Sequence, residues 1–460
     1  MERPNVVLIN CDDLGYGDLG CYGSTLNATP VLDQMAEEGL RFDSFYMASP
    51  VCSPSRGALL TGCYPPRIGF GSFDELPVLF PGQAVGLPSS EVSLGRLLSQ
   101  AGYRTQMIGK WHCGDQPPFL PTNHGFDSYF GLPYSNDMGR QVGTRTRPDG
   151  EQAGYPPLPL LLDDEVIEQQ PDQSALTARY VSEAVRFMRT SRDQPFFLYL
   201  AHMYVHLPLY VEDRFTESST NGRYGAAVAA IDWATGIVLR ELSALGLDES
   251  TLVVFTSDNG SLAGDGGGSN SPLRGTKGTT WEGGMRVPCI ARWPGRVAAG
   301  GTTSELATAM DLFPTLAAVC DASLPDDRPI DGRDISALLF EAAGTSPHEA
   351  FFYYWMNDLE AVRDHRWKLH LAKVRTEVRE LYDLAADPGE SEDVVDQHPE
   401  VVARLLAHAE AARRSLGDAR IGIAGADVRE VGRVEHPAFL TTYDPTHPYF
   451  AAEYDLPDRG

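Results

Sequence analysis

Short runs rich in β-branched, aromatic and aliphatic residues, alternating with stretches of helical periodicity, constrain this chain more than any other feature. The runs are residues 6–9, 104–108, 195–200 and 252–255. The first leads into a helix-like segment at 31–39, and the others follow helix-like segments at 94–101, 175–188 and 226–245. Helix and buried strand in repeated alternation specify a mostly parallel sheet with helices on both faces, an α/β fold. The 460 residues, 42% of them hydrophobic, are enough for a large core and more than one small domain. After a linker-like stretch at 344–348 the pattern changes. Residues 351–355 and 366–371 read as strands of a smaller antiparallel sheet, and 399–416 as a helix with Pro399 in its first turn. The expected organisation is a large α/β domain over 1–343 and an α+β subdomain over 344–460. The latter's Gly-, Pro- and Asp-rich end wraps the surface.

Ligands of open α/β sheets bind outside the carboxyl ends of the strands. Here each run ends in chemistry-capable side chains: Asp12-Asp13, then Lys110-Trp111-His112, then His202 and His206, then Asp258-Asn259. Each is ordinary alone. An Asp pair after a strand is usually a turn or cap, and a lone Lys or His usually lies on the surface. A parallel sheet would bring all four to one edge. Asp12, Asp13, Asp258 and Asn259 offer only oxygen ligands, which suits calcium or magnesium rather than zinc. The carboxylates among them would repel one another without a cation.

Residues 49–62 read SPVCSPSRGALLTG. Pro54 suits the first turn of a helix, which puts Cys52 at or just before a helix N-terminus, where backbone N–H groups and the dipole favour an anion. Arg56, four residues on, shares its face. By itself such a cysteine is more often a small buried hydrophobe.

Composition narrows the partners. A net charge of -26 argues against nucleic acid and anionic membrane, which the long-range field repels. No segment is apolar enough for long enough to span a bilayer. The seven cysteines show neither paired spacing nor a zinc pattern. The start runs directly into a strand-like segment with no leader pattern, so the expected location is cytoplasmic; a removed leader would make it periplasmic or secreted.

The segment Cys52-Ser53-Pro54-Ser55-Arg56, followed by Leu59-Leu60-Thr61-Gly62, resembles the signature of the type I formylglycine-dependent sulfatases. The resemblance continues through Asn10-Cys11-Asp12-Asp13, Gly109-Lys110-Trp111-His112, His206-Leu207-Pro208, Thr256-Ser257-Asp258-Asn259-Gly260 and the run from Lys277 to Gly284. Gly131-Leu132-Pro133-Tyr134-Ser135 and residues 81–89 are most similar to the branch holding arylsulfatase A and N-acetylgalactosamine-6-sulfatase.

The resemblance implies an alkaline-phosphatase-like fold and hydrolysis of an aryl or carbohydrate sulfate monoester. It implies that a separate formylglycine-generating enzyme oxidises Cys52 to formylglycine (3-oxoalanine). The hydrated aldehyde attacks sulfur with one hydroxyl, and the second then expels sulfate, which a serine lacking that hydroxyl could not do. It further implies that Asp12, Asp13, Asp258, Asn259 and the modified Cys52 hold a divalent cation, calcium with magnesium as the alternative. Arg56 then orients the nucleophile, Lys110 and Lys277 balance sulfate charge, and Ser135 adds a sulfate contact. His112 is the base for sulfate elimination, and His206 the donor to the leaving oxygen. Substrate choice is expected to lie in residues 70–89, 139–165 and 260–270 and in the tail. The competing readings are a phosphonate monoester or phosphodiester hydrolase on the same scaffold, and a non-catalytic binding protein.

Overall fold

Along the first strand, Asn5–Cys11 (β1), side chains alternate between two separate cores, so the strand is covered on both faces. Val6 and Leu8 point into one core, Val7 and Ile9 into the other. The computed structural model describes residues 3–140, 145–146, 152–341, 343–374 and 376–446.

In chain order the large sheet contains β1, Leu40–Tyr46 (β2), Arg104–Lys110 (β3), Ser128–Leu132 (β4), Pro159–Leu162 (β5) and Glu165–Gln169 (β6). It continues with Phe196–Ala201 (β7), Thr251–Ser257 (β8), Arg286–Arg292 (β9), Gly301–Thr303 (β10) and Ala307–Thr308 (β11). The order across its 11 strands is β10-β2-β9-β8-β1-β7-β3-β4-β5-β6, with β11 also on β2. The centre, β8-β1-β7-β3-β4, is parallel throughout; β9 runs antiparallel to both β8 and β2, and β5 and β6 close the other side. Helices Cys52–Thr61 (α2), Leu94–Gln100 (α3) and Leu312–Val319 (α7) pack on one face. Pro30–Glu37 (α1), Leu176–Ser191 (α4) and Gly222–Ala244 (α5) pack on the other. Glu282–Met285 (α6) is a single turn before β9.

The second sheet is antiparallel: Phe351–Trp355 (β12), Asp358–Arg363 (β13), Trp367–Lys373 (β14) and Thr376–Asp383 (β15). Val401, Val402 and Leu405 of Pro399–Leu416 (α8) join the core beneath it, which also takes Tyr46, Ala58 and Met285 from the large sheet's side. The sequence identified two of these four strands. It passed over β13 because Asp358, Glu360 and Arg363 read as surface residues, whereas all three are buried.

The tail runs back over the large domain. Gly432–Arg433 pairs with Val85–Gly86, and Ala438 exchanges two hydrogen bonds with the Gln116 amide, at 2.9 and 3.0 Å. Of the expected specificity segments, residues 141–144, 147–151 and 447–460 lie outside the described residues. No helix among the described residues is long and apolar enough to cross a membrane, and all seven cysteines are free.

Candidate active site

The four central strands end in register: Cys11 lies beside Ser257, Asn10 beside Ala201, and Ala201 beside Gly109. The residues that follow therefore emerge side by side at one edge. Gly109 is required there. Its φ is 104°, and a Cβ at that position would stand 1.8 Å from the Ala201 carbonyl oxygen, so a larger residue would part β3 from β7 just before Lys110.

Beside this edge, α2 begins at Cys52 itself. The preceding Val51 provides no side-chain cap, and the whole helix is buried. Ser53 and Ser55 turn away from capping: Ser53 Oγ accepts from Leu79 N at 3.0 Å, and Ser55 Oγ donates to the Asp258 carbonyl.

Arg56, fully buried, ties the pieces together. Its Nε donates to Asp258 Oδ2 at 2.8 Å, Nη2 lies 3.3 Å from Asp12 Oδ2, and Nη1 donates to the Lys110 carbonyl at 2.7 Å. The Lys110 ammonium meets Asp12 Oδ2 and lies 3.3 Å from Ser135 Oγ. Lys277 reaches Asp13 at 2.8 Å, and His206 Nε2 is 3.8 Å from Asp13 Oδ2. Asn259 Nδ2 donates to Asp13 Oδ1 at 2.7 Å. Cys52 Sγ lies 3.5 Å from Asp12 Oδ1.

Asp13 N donates to Asp258 Oδ1 at 3.2 Å, so nine of the eleven residues singled out from the sequence form one bonded cluster, with His206 beside it. His112 is joined to it through the chain: His112 Nε2 lies 2.9 Å from the carbonyl of Leu79, whose N–H holds Ser53. A carbonyl only accepts, so Nε2 carries the proton. Nδ1, buried and without a partner among the described residues, is left as a free acceptor. His202 is also buried, with Nε2 unpartnered, and takes no part in the cluster's bonds.

The electrostatics refine the expectation for Cys52. Burial, and then the Asp12 carboxylate, push its thiol well above the usual range, so the helix terminus does not by itself make a thiolate here. Burial works against ionisation of Asp12 too, but Lys110, His206, Arg56 and Lys277 together hold its carboxyl far below normal. Asp258 is raised, by burial and then by Asp12. His112 is held well below its normal value by burial and then by Lys110, and His206 is lowered by burial and then by Lys277. Both are neutral imidazoles at pH 7.

The residues fit a hard cation. Ligand atoms of Asp12, Asp13, Cys52 and His206 lie within 4.8 Å of one another, and the buried Asn259 Oδ1 has no hydrogen-bond partner among the described residues. An orphaned buried amide oxygen beside two carboxylates is a position a cation satisfies. His206 belongs to this cluster as well, at the sheet edge where its place after the run 195–200 put it. The sequence reading also missed the serine contacts within the motif, although Ser53 and Ser55 stood in it.

Comparison with known proteins agrees with this geometry. A family model described as Sulfatase matches residues 4–322, and one described as N-sulphoglucosamine sulphohydrolase, C-terminal, matches residues 276–414. The chain is 40% identical to human (Homo sapiens) arylsulfatase A over 443 residues, covering 87% of this chain and 86% of that protein. It is 42% identical to N-acetylgalactosamine-6-sulfatase of Rattus norvegicus over 386 residues, covering 80% of this chain and 72% of that one. The crystal structure of a sulfatase from Pseudoalteromonas sp. superposes with a TM-score of 0.79 at 29% identity, covering 89% of this chain and 90% of that one. The chain belongs to the sulfatase family. It is a sulfuric ester hydrolase with the alkaline-phosphatase-like fold of that family.

Proposed function

We propose that the protein hydrolyses a sulfate monoester through a formylglycine made from Cys52, with a calcium ion held by Asp12, Asp13, Asp258, Asn259 and the modified residue. The observation that carries this reading is the convergence of Cys52, Arg56, two lysines and three carboxylates from separate parts of the chain within one buried cluster. The bound cation would neutralise sulfate oxygens and lower the pKa of a hydroxyl beside it. The aldehyde hydrate would supply a nucleophile with two hydroxyls on one carbon, one to attack and one to release sulfate.

The chain's own groups do the rest. Arg56, locked between Asp12 and Asp258, orients residue 52. Lys110 and Lys277, now turned toward carboxylates, offer ammonium protons to sulfate oxygens, and Ser135 adds a hydroxyl beside Lys110. Neutral His112, with Nδ1 as acceptor, takes the proton for sulfate elimination. His206 keeps its Nδ1 proton on the Leu207 carbonyl at 2.5 Å, so it serves as donor to the leaving oxygen only once Nε2 has taken up a proton.

Two exposed leucines stand near the His206 side. Leu207, next to His206, is 36% exposed, and Leu262, in the loop after Asn259, is 46% exposed. Leu207 lies against that loop: its Cδ1 is 3.6 Å from where a Cβ on Gly266 would stand. A net charge of -26 also opposes a polysulfated chain at long range. Both features support a monosulfate of an aryl or similarly apolar alcohol over a densely sulfated glycan.

Mass spectrometry of the Cys52 peptide from active enzyme tests the nucleophile: an aldehyde is expected, and full activity with an unmodified thiol would end the reading. Turnover of an aryl sulfate is expected to exceed that of a phosphate diester, a phosphonate monoester and a sulfated oligosaccharide. Dominant diester or phosphonate turnover would favour the alternative hydrolase.

A further inference from the structure

Lys277 sits on a loop whose ends are both held by one residue that follows the last strand of the C-terminal sheet. The loop closes on itself through Gly283 N, which donates to the Arg274 carbonyl at 2.7 Å. Glu390 then clasps it. The Glu390 carbonyl accepts from Arg274 Nη1 at 2.9 Å, and its Oε2 accepts from Glu282 N at 2.7 Å. Its Oε1 lies 2.9 Å from Lys368 Nζ and 2.8 Å from His370 Nε2, both on β14. The same sheet grips the interior of the loop. Lys368 donates to the Thr280 carbonyl at 2.8 Å, and Glu360 accepts from Thr280 Oγ1 at 2.7 Å. Trp281 is bracketed by Arg274 at 4.0 Å and Lys373 at 3.9 Å from its ring centroid.

Among the described residues the Lys277 ammonium is held by Asp13 alone, at 2.8 Å, and must leave that carboxylate to meet a sulfate oxygen. Glycines with φ of 88° and 80°, Gly275 and Gly278, flank its immediate neighbourhood. Its backbone is tied at Lys277 N to the Ser261 carbonyl and at Gly278 N to the Pro50 carbonyl, both 2.9 Å, and around it by the Thr276–Thr279 turn and by Asn270 Nδ2 on the Gly275 carbonyl at 3.1 Å. A four-carbon side chain on a glycine-flanked loop loses much conformational entropy when it must meet an anion at one position. Every bond that fixes the loop beforehand reduces that cost at the moment of binding.

We propose that Glu390 is a positioning residue for Lys277, so that the C-terminal sheet sets the affinity of the active site for the sulfate group. The proposal rests on the reading of Lys277 as a sulfate contact. Glu390 touches neither sulfate nor the residues around Cys52, and acts only through the loop.

The test is a cycle of variants of the full chain titrated with inorganic sulfate by calorimetry, a readout independent of turnover and of the state of Cys52. Glu390→Ala is expected to weaken sulfate binding about tenfold, and Glu390→Gln, which keeps an acceptor for Glu282 N, by no more than about threefold. In a Lys277→Ala background, Glu390→Ala is expected to add less than about twofold, because its effect passes through the missing ammonium. Arg274→Met, at an exposed position that removes one end of the clasp, should act in the same direction as Glu390→Ala even if that variant folds poorly. Unchanged sulfate affinity in folded Glu390→Ala and Arg274→Met would overturn the proposal, as would losses that multiply in the double variant. If Lys277→Ala alone leaves sulfate binding unchanged, the role given to Lys277 falls first and the positioning role with it.

Discussion

Two buried charge clusters lie at the two ends of the loop 274–283, and they are built differently. At the sheet edge, Asp12, Asp13 and Asp258 share Arg56, Lys110 and Lys277, while Asn259 Oδ1 and His112 Nδ1 are left without partners among the described residues. Under the second sheet, Lys368 uses all three ammonium protons, on the Thr280 carbonyl, Glu282 and Glu390 at 2.8, 3.1 and 2.9 Å. Glu282 also accepts from Tyr46 and Tyr353 at 2.5 and 2.7 Å. Equal burial therefore does not mean equal use. The first cluster has two cations on Asp12 and a spare amide oxygen at Asn259, as a site awaiting a ligand must; the second has its ammonium saturated and keeps only His370 Nδ1 unpartnered among the described residues, as suits a joint between two layers.

The largest effect separating the two is expected at Cys52. Cys52→Ala should lower aryl sulfate turnover by at least about ten-thousandfold, because the nucleophile is gone. Far-ultraviolet circular dichroism and the melting temperature should stay near wild type, since alanine favours the helix that begins there. Substantial residual turnover would place the nucleophile elsewhere.

Lys368→Met should come next, with the balance reversed. It leaves the ionised, buried Glu282 with only the longer Arg286 and Arg363 contacts at 3.6 and 3.9 Å, at a cost of about 3–5 kcal/mol in denaturant unfolding. Lys110→Met should do the opposite. Turnover should fall about a hundredfold as an ammonium is lost from the sulfate, but stability by only about 1–2 kcal/mol, because Arg56 still pairs with Asp12 at 3.3 Å. If Lys110→Met proved as destabilising as Lys368→Met, the claimed redundancy at the edge would be wrong.

The two clusters were unequally legible in the sequence for the same physical reason. Three of the strands ending at the edge follow helix-like segments and the fourth opens the chain, so the order of elements alone places Asp12, Lys110, His206 and Asp258 together. The terminal helix was read with both its bounds, and so was the strand 351–355. The second cluster left no local trace. Glu282 and Glu390 are 108 positions apart, and Lys368 and Arg363 lie in strands whose charged residues resemble a solvated face. Strand β9 was missed because Pro288 interrupts it. The sheet accommodates that proline with a register shift between Val287 and Cys289, and the Pro288 carbonyl still accepts from Thr256 Oγ1 at 3.0 Å. For Cys52, position alone suggested a stabilised anion, whereas burial beside Asp12 disfavours one; that difference depends on a neighbour forty residues away.

The smallest predicted effect is a pH dependence confined to the second cluster. Burial, and then the Glu282 charge, raise Glu390 to about 7, against the pull of Lys368. Between its unfolded value of 4.5 and about 7 the native chain keeps a proton that the unfolded chain has released, so this group's contribution to stability falls as pH rises through that window. Glu282 acts outside it: although burial opposes its ionisation, Lys368, Arg363 and Arg286 hold its carboxyl low, and its contribution is lost only in more acidic solution. His370, lowered well below normal by burial and then by Lys368, does titrate in the unfolded chain within the window, with the opposite sign. Because His370 Nε2 lies 2.8 Å from Glu390, the comparison of Glu390 with Gln is made in a His370→Gln background, which removes that titration. In that background the stability of Glu390→Gln relative to its Glu390 parent should therefore increase from pH 4.5 to 7 and level off above it, as followed by denaturant unfolding at several pH values. A difference that stayed constant across the window would mean that Glu390 is already ionised at pH 4.5 in the native protein, and that Lys368 overcomes burial at this joint as the cations do at the edge.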